Sequence, residues 1–119
     1  MSYDIYLNDP KTTEVIIFDE KHHLIGGTYA VGGCEEAWLN ITYNYASHFY
    51  RLIDKEKGIR FLYGKTGEES IPILNNAIEA LNDDFTDDYR EPTEGNAKKA
   101  LQYLVAMAQM RPDGVWSGD

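Results

Sequence analysis

Residues Gly26–Tyr50, GGTYAVGGCEEAWLNITYNYASHFY, decide how the rest of the chain is read. They hold four of the ten glycines, the single cysteine and one of the two tryptophans. The pairs Gly26-Gly27 and Gly32-Gly33 bracket Thr28–Val31 as a short strand, because glycine permits positive φ and close backbone approach. From Cys34 onward the spacing predicts a helix. At about 100° per residue, Trp38, Ile41, Thr42, Tyr45, Phe49, Leu52 and Ile53 form one stripe. Asn40, Asn44, Ser47, Arg51 and Asp54 face the other way. Glu35 and Glu36 suit the positive end of that helix, and Gly58, after Lys55 and Lys57, ends it.

The flanks supply a sheet and two more helices. Tyr3, Ile5 and Leu7 alternate with Asp4 and Tyr6 as in a half-buried strand. Asn8-Asp9-Pro10-Lys11-Thr12 carries turn chemistry, and Thr13–Phe18 is β-branched and apolar, so the pair reads as a hairpin. Asp19–His23 reads as its exposed polar tip. Ile59–Tyr63 reads as a fourth strand or extended segment. Ser70 is placed as the cap of a helix with Pro72 in its first turn and Leu74, Ala77, Ile78 and Leu81 buried. Thr93 caps a last helix whose core face is Ala97, Ala100, Leu101, Leu104, Met107 and Ala108. Val115 and Trp116 fold back on the body, because a free terminal tryptophan would leave a large apolar area in water. The expected fold is α+β over a single domain, 1–119: a small antiparallel sheet of three or four strands with three helices packed on one face.

Composition narrows the function classes. The 119 residues carry a net charge of −9, which disfavours direct contact with nucleic acid backbones. A hydrophobic content of 43% supports one core. Neither a membrane span nor a secretion signal is legible, so a cytoplasmic location is expected. One cysteine, Cys34, makes neither an internal disulfide nor a cysteine zinc cage. No cofactor is implied, and a homo-oligomer is left open.

Motif-like strings fail on inspection. Gly64-Lys65-Thr66 ends like a phosphate-binding P-loop, but the spacing to Gly58 is one residue too long and the intervening residues are apolar. The glycine pairs do not spell a dinucleotide fingerprint. Asp83, Asp84, Asp87 and Asp88 lack the alternation and the glycine of a calcium loop. His22-His23 point to opposite faces of a strand, so no metal site is assigned. The Asn40-Ile41-Thr42 sequon has no meaning without secretion. No catalytic residue is assigned, although His48 with Asp54 or Glu36 is the one enzymatic alternative.

Two binding surfaces remain. Tyr43 and Tyr50, seven residues apart, share a helix flank with Asn40, Asn44, Ser47 and Arg51. Stacking rings, amides and a cation there, with Lys65 and Thr66 beside them, suit a small polar ligand such as a nucleotide. The second surface is acidic. From Glu79 to Glu94 there are seven acids and one base, Arg90, so Asp83, Asp84, Asp87 and Asp88 form a docking patch for a basic protein.

The strings GGTYAVGG, AWLNITYNY, LYGKTG, GNAKKAL and RPDGVW resemble an uncharacterised family of short bacterial and phage or prophage proteins. The resemblance implies a mobile-element setting, in which small accessory proteins act against host defences. It carries over no site residue. The leading expectation is a non-catalytic accessory protein that binds a small polar ligand or a host partner. The alternative is an inhibitor that mimics nucleic acid through its acidic residues.

Overall fold

The first strand, β1 (Ser2–Asn8), alternates as its sequence demands: Tyr3, Ile5 and Leu7 are buried and their neighbours half-exposed. This computed structural model describes residues 1–22 and 34–119, with side chains for 1–18 and 36–119. Two short strands, β2 (Ile17–His22) and β3 (Cys34–Glu36), pair antiparallel as a separate small sheet. The chain continues into β4 (Trp38–Thr42), a 3₁₀ turn at Tyr43–Tyr45, α1 (Ala46–Leu52) and a 3₁₀ turn at Gly58–Leu62. It closes with α2 (Gly67–Ala80), α3 (Glu94–Met110) and β5 (Val115–Gly118). The main sheet is antiparallel in the order β4-β1-β5. The fold is the expected α+β one, a small antiparallel sheet with three helices.

Register explains the core. Tyr3 lies opposite Ile41, Ile5 opposite Leu39, and Leu7 opposite Trp116. These side chains meet Tyr45, Phe49, Ile59, Leu62, Leu74, Leu101 and Leu104 in one buried cluster. Trp116 does fold back: its indole Nε1 donates to Ser70 Oγ at 2.8 Å, and Ser70 Oγ donates to the Gly67 carbonyl at 2.7 Å.

The long helix expected from Cys34 to Ile53 is not formed. Cys34–Glu36 and Trp38–Thr42 are strands, and helix begins only at Ala46. The helical stripe does not include Leu39, yet Leu39 is fully buried beside Ile41. A two-residue period satisfies both side chains, and cross-strand pairing with β1 completes their backbone bonds. Trp38 therefore leaves the core and stacks on Tyr6, its cross-strand neighbour, at 6.4 Å between ring centroids. Thr42 ends the strand by accepting the Asn44 N–H.

Three further boundaries move. The 59–63 segment is a 3₁₀ turn rather than a strand, because Ile59 and Leu62, three apart, are its buried pair. α2 starts at Gly67, which makes Pro72 its sixth residue rather than a first-turn one, and its cap is Thr66 rather than Ser70. Thr66 accepts the Glu69 N–H while Glu69 accepts the Thr66 N–H, a reciprocal capping box. The 13–18 strand is reduced: it joins β1 by an isolated Asn8–Val15 bridge and an Ile16 N–H bond to Leu7, then diverges as β2. The expected strand at 28–31, its flanking glycine pairs and the His22-His23 side chains lie outside the described residues.

Candidate functional site

The acidic 82–92 loop has no regular structure, but it is not loosely attached. Side chains from α3 and from the 44–48 segment hold its backbone, and Glu94 accepts the Asn82 N–H at 3.0 Å. Asn96, 3 residues into α3 and 2% exposed, reaches back from the helix. Its Oδ1 accepts the Thr86 N–H, and its Nδ2 donates to Thr86 Oγ1 and to the carbonyls of Asp88 and Glu91, all within 3.0–3.2 Å. From the other side, Tyr45 OH donates to the Tyr89 carbonyl. Asn44 Nδ2 donates to the Arg90 carbonyl at 2.7 Å, and His48 Nε2 donates to the Pro92 carbonyl at 2.8 Å.

That last bond fixes a tautomer. Arg51 donates to His48 Nδ1 at 2.7 Å, so Nδ1 carries the lone pair and Nε2 the proton. His48 is thus occupied as a clamp rather than paired with an acid. Asp54 Oδ2 instead accepts the N–H groups of Glu56 and Lys57. The Tyr45 ring is fully buried against Phe49, and that burial pushes its hydroxyl well above the ordinary value, with the charge of Asp88 adding to it.

Held this way, the loop turns its carboxylates outward. Asp84 and Asp87 are exposed, and between them Phe85 shows 48% of its surface. Asp83 pairs with Lys98 at 2.8 Å, and Asp88 pairs with Arg90 at 3.0 Å. Hydrogen bonds from the Arg90 side chain and its N–H hold the Asp88 carboxyl below the usual range. Lys99 lies over the Phe85 ring at 4.9 Å.

Beside the loop, the outer face of the main sheet is polar. Asn40 on β4 lies opposite Asp4 on β1. Asn40 Nδ2 donates to Asp4 Oδ1 and Ser2 Oγ, each at 2.7 Å, and Trp38 Nε1 donates to the same Asp4 oxygen at 3.2 Å. Where this face meets the loop there is a cleft of about 210 Å³ lined by Met1, Ser2, Asn40, Thr42, Asn44, Tyr89 and Arg90.

The residues expected to bind a small ligand are dispersed. Asn40 and Asn44 line the cleft. Tyr43 turns toward the body, edge-on to the Tyr3 ring at 4.6 Å, and its hydroxyl accepts from Arg60. Ser47 is exposed, and Tyr50 covers Gly58, whose φ of +60° suits glycine. Arg51 is bound to His48. Lys65 and Thr66 sit at the far edge of the sheet, where Thr66 bridges to Val115 on β5. Lys65 Nζ lies over Phe61 at 4.4 Å.

The 64–66 turn also has no spare main-chain donors. The N–H groups of Gly64, Lys65, Gly67 and Glu68 go to the carbonyls of Trp116, Leu62, Gly114 and Pro112. Those of Thr66 and Glu69 close the capping box. A phosphate would find no free main-chain N–H there, although α2 begins directly after Lys65-Thr66.

Sequence reasoning missed Asn96, Asp4 and the capping role of Thr66. A T-x-x-E signal at 66–69 marks the last. An asparagine three residues after the Thr93 cap, where glutamate would close a box, hints at the first. No local pattern marks Asp4, whose partners are 34 and 36 residues away. Among the described residues no cluster of three or more metal-ligating side chains occurs, and no helix is long and apolar enough to cross a membrane. Compared with known proteins, the chain matches no family model, no curated protein and no solved structure.

Proposed function

We propose that this is a non-catalytic binding protein that docks on a basic protein surface through the acidic loop around Asp83, Asp84, Asp87 and Asp88. One observation carries the reading: the loop backbone is clamped by Asn44, Tyr45, His48 and Asn96, while Asp84, Phe85 and Asp87 stand exposed. A preorganised loop loses little conformational entropy on binding. Carboxylates steer and orient a basic partner, and an aromatic among them supplies an apolar anchor. The resemblance to short phage and prophage proteins supports an accessory role in the cytoplasm, in which the acidic loop occupies a surface that otherwise meets nucleic acid. A small-ligand reading is the second one. The cleft at about 210 Å³ is smaller than the roughly 300–1,000 Å³ of ordinary small-molecule sites, which speaks against a whole nucleotide.

The test compares three immobilised proteins: wild type, the double variant Asp84→Asn/Asp87→Asn, and Phe85→Ala. A protein captured from bacterial lysate by wild type is purified, and the binary affinity is measured at two salt concentrations. The expected partner is basic, its affinity falls steeply with salt, and the double variant loses it. Salt-insensitive binding that survives the double change overturns the reading. Thermal stabilisation by any nucleotide, at concentrations well above a plausible Kd, favours the second reading instead.

A further inference from the structure

At one end of the main sheet an arginine lies among tyrosines with donors unspent. Arg60, in the 58–62 turn, sets its guanidinium carbon 4.8 Å from the centroid of the Tyr3 ring and 5.8 Å from that of Tyr43. Its Nε donates to the Asp119 main-chain oxygen at 2.7 Å, and one Nη2 proton goes to the Tyr43 hydroxyl at 3.4 Å. Nη1 and the second Nη2 proton make no hydrogen bond among the described residues. Arg90 and Arg111 are paired with carboxylates and Arg51 with His48, whereas Arg60 meets no carboxylate side chain among the described residues. The two-pronged end of its guanidinium, which matches both oxygens of one acid group, is free of protein acceptors.

The tyrosines add donors of the same kind. Tyr3 is 2% exposed, and its hydroxyl makes no hydrogen bond among the described residues. That hydroxyl is not enclosed, since among those residues the only enclosed side-chain polar atom without a partner is Asn8 Oδ1. The packed Tyr3 ring therefore presents an accessible O–H at the edge of the core. Burial raises this hydroxyl above its ordinary value, Tyr50 adds to the shift and the nearby Arg60 charge opposes it, so the group stays protonated at neutral pH. The Tyr43 hydroxyl accepts from Arg60 and keeps its own proton to donate.

An acid nearby limits the charge that a ligand can carry. Burial and then the Asp119 charge push the Tyr63 hydroxyl up to about 12, and the Asp119 carboxylate accepts the Asp4 N–H. A doubly charged ligand would be repelled by that carboxylate more than a singly charged one.

We propose that Arg60, Tyr3 and Tyr43 form a carboxylate-binding site for a small organic acid. The Arg60 fork takes both carboxylate oxygens, the two phenols donate to their remaining lone pairs, and the 36% exposed Tyr50 ring offers an apolar side to the rest of the molecule. The inference goes beyond the acidic-loop reading and does not depend on it.

The experiment titrates ¹⁵N-labelled protein with sodium acetate, sodium phosphate and methylammonium chloride, at matched ionic strength and at a pH where phosphate is largely a dianion. Acetate is expected to shift the Arg60 Nε–H resonance and the main-chain amides of Tyr43 and Arg60 saturably, and phosphate to need several times the concentration. Tyr3→Phe and Tyr43→Phe, which keep the rings, are each expected to weaken acetate binding about three- to tenfold. Arg60→Lys, which keeps the charge and loses the fork, is expected to weaken it about tenfold. Amide spectra away from the site report that each variant is folded, and the two Phe variants decide the matter if Arg60→Lys is not. Asp84→Asn/Asp87→Asn is expected to leave acetate binding unchanged, so failure of the docking reading and failure of this one are read separately. The inference is overturned if acetate leaves the Arg60 resonance unmoved, if phosphate binds more tightly than acetate, if methylammonium produces the same shifts, or if the Phe variants bind acetate as the wild type does.

Discussion

The 64–66 turn and the 82–92 loop each lead into a helix capped by a threonine, and the third helical residue separates their roles. After Thr66 that residue is Glu69, which turns back to the Thr66 N–H and closes the cap on itself. After Thr93 it is Asn96, which leaves the cap half-made and instead holds Thr86, Asp88 and Glu91 of the preceding loop. In the first region main-chain donors are spent on β5 and its approach, so the turn is structural. In the second the loop's carbonyls are held from inside, and its carboxylates are left for the surroundings. Charge along the sequence does not separate the two regions; the direction in which their backbone groups are satisfied does.

The comparison breaks most visibly at Asn96. Replacing Asn96 by Ala removes four hydrogen bonds at a buried position and should cost about 2–4 kcal/mol, read by urea denaturation. Hydrogen exchange should show the loss of protection at Thr86 first, where the amide N–H loses its acceptor. An unchanged Thr86 exchange rate would deny Asn96 the holding role.

Gly95→Ala tests the same junction through space. A Cβ there would lie 2.6–2.8 Å from the backbone of Asp84, so the loop must move off the helix. A cost of about 1–3 kcal/mol is expected, together with displaced resonances from Asp83 to Asp88. On the other side of the comparison, Thr66→Ala should cost about 1 kcal/mol by loss of the α2 cap and leave the acidic loop's exchange rates unchanged.

A smaller effect concerns alkaline pH. Burial pushes the Tyr63 hydroxyl up to about 12 from its ordinary 10.0, with the charge of Asp119 contributing, and Tyr45 moves in the same direction. A raised folded value means that the unfolded chain ionises first. Stability from these tyrosines is therefore complete below pH 10.0 and declines as pH rises toward about 12. Denaturation midpoints measured along that window should fall less steeply in Tyr63→Phe. An identical slope would exclude Tyr63 as a source. The smallest change is expected for Asp84→Asn/Asp87→Asn, whose denaturation midpoint should match wild type because both side chains are exposed and bond nothing that holds the loop.

Much of the scaffold was legible in the residues. The alternation of Tyr3, Ile5 and Leu7, the Thr93 cap and the apolar face of the last helix describe local periods, and local periods survive folding. The turn of Trp116 onto the body followed from its apolar area. The acidic loop was legible as charge but not as an ordered surface, because its clamps lie between 5 and 46 residues away in sequence. The 38–53 stretch went astray for a physical reason. Its first five residues fit a helical stripe nearly as well as a strand, and the choice belongs to β1, whose unpaired backbone groups and buried face only tertiary contact supplies.

By itself, then, the sequence determined an acidic α+β fold, where its last helix begins, and the apolar faces of β1 and of that last helix. Tertiary structure alone decided that Asn40 lines a cleft beside Arg90, that Asn44 and His48 clamp a loop, and that the 64–66 turn has no free main-chain donors. Hydrophobic periodicity is written along the chain, whereas the satisfaction of polar groups depends on which distant partner each one meets.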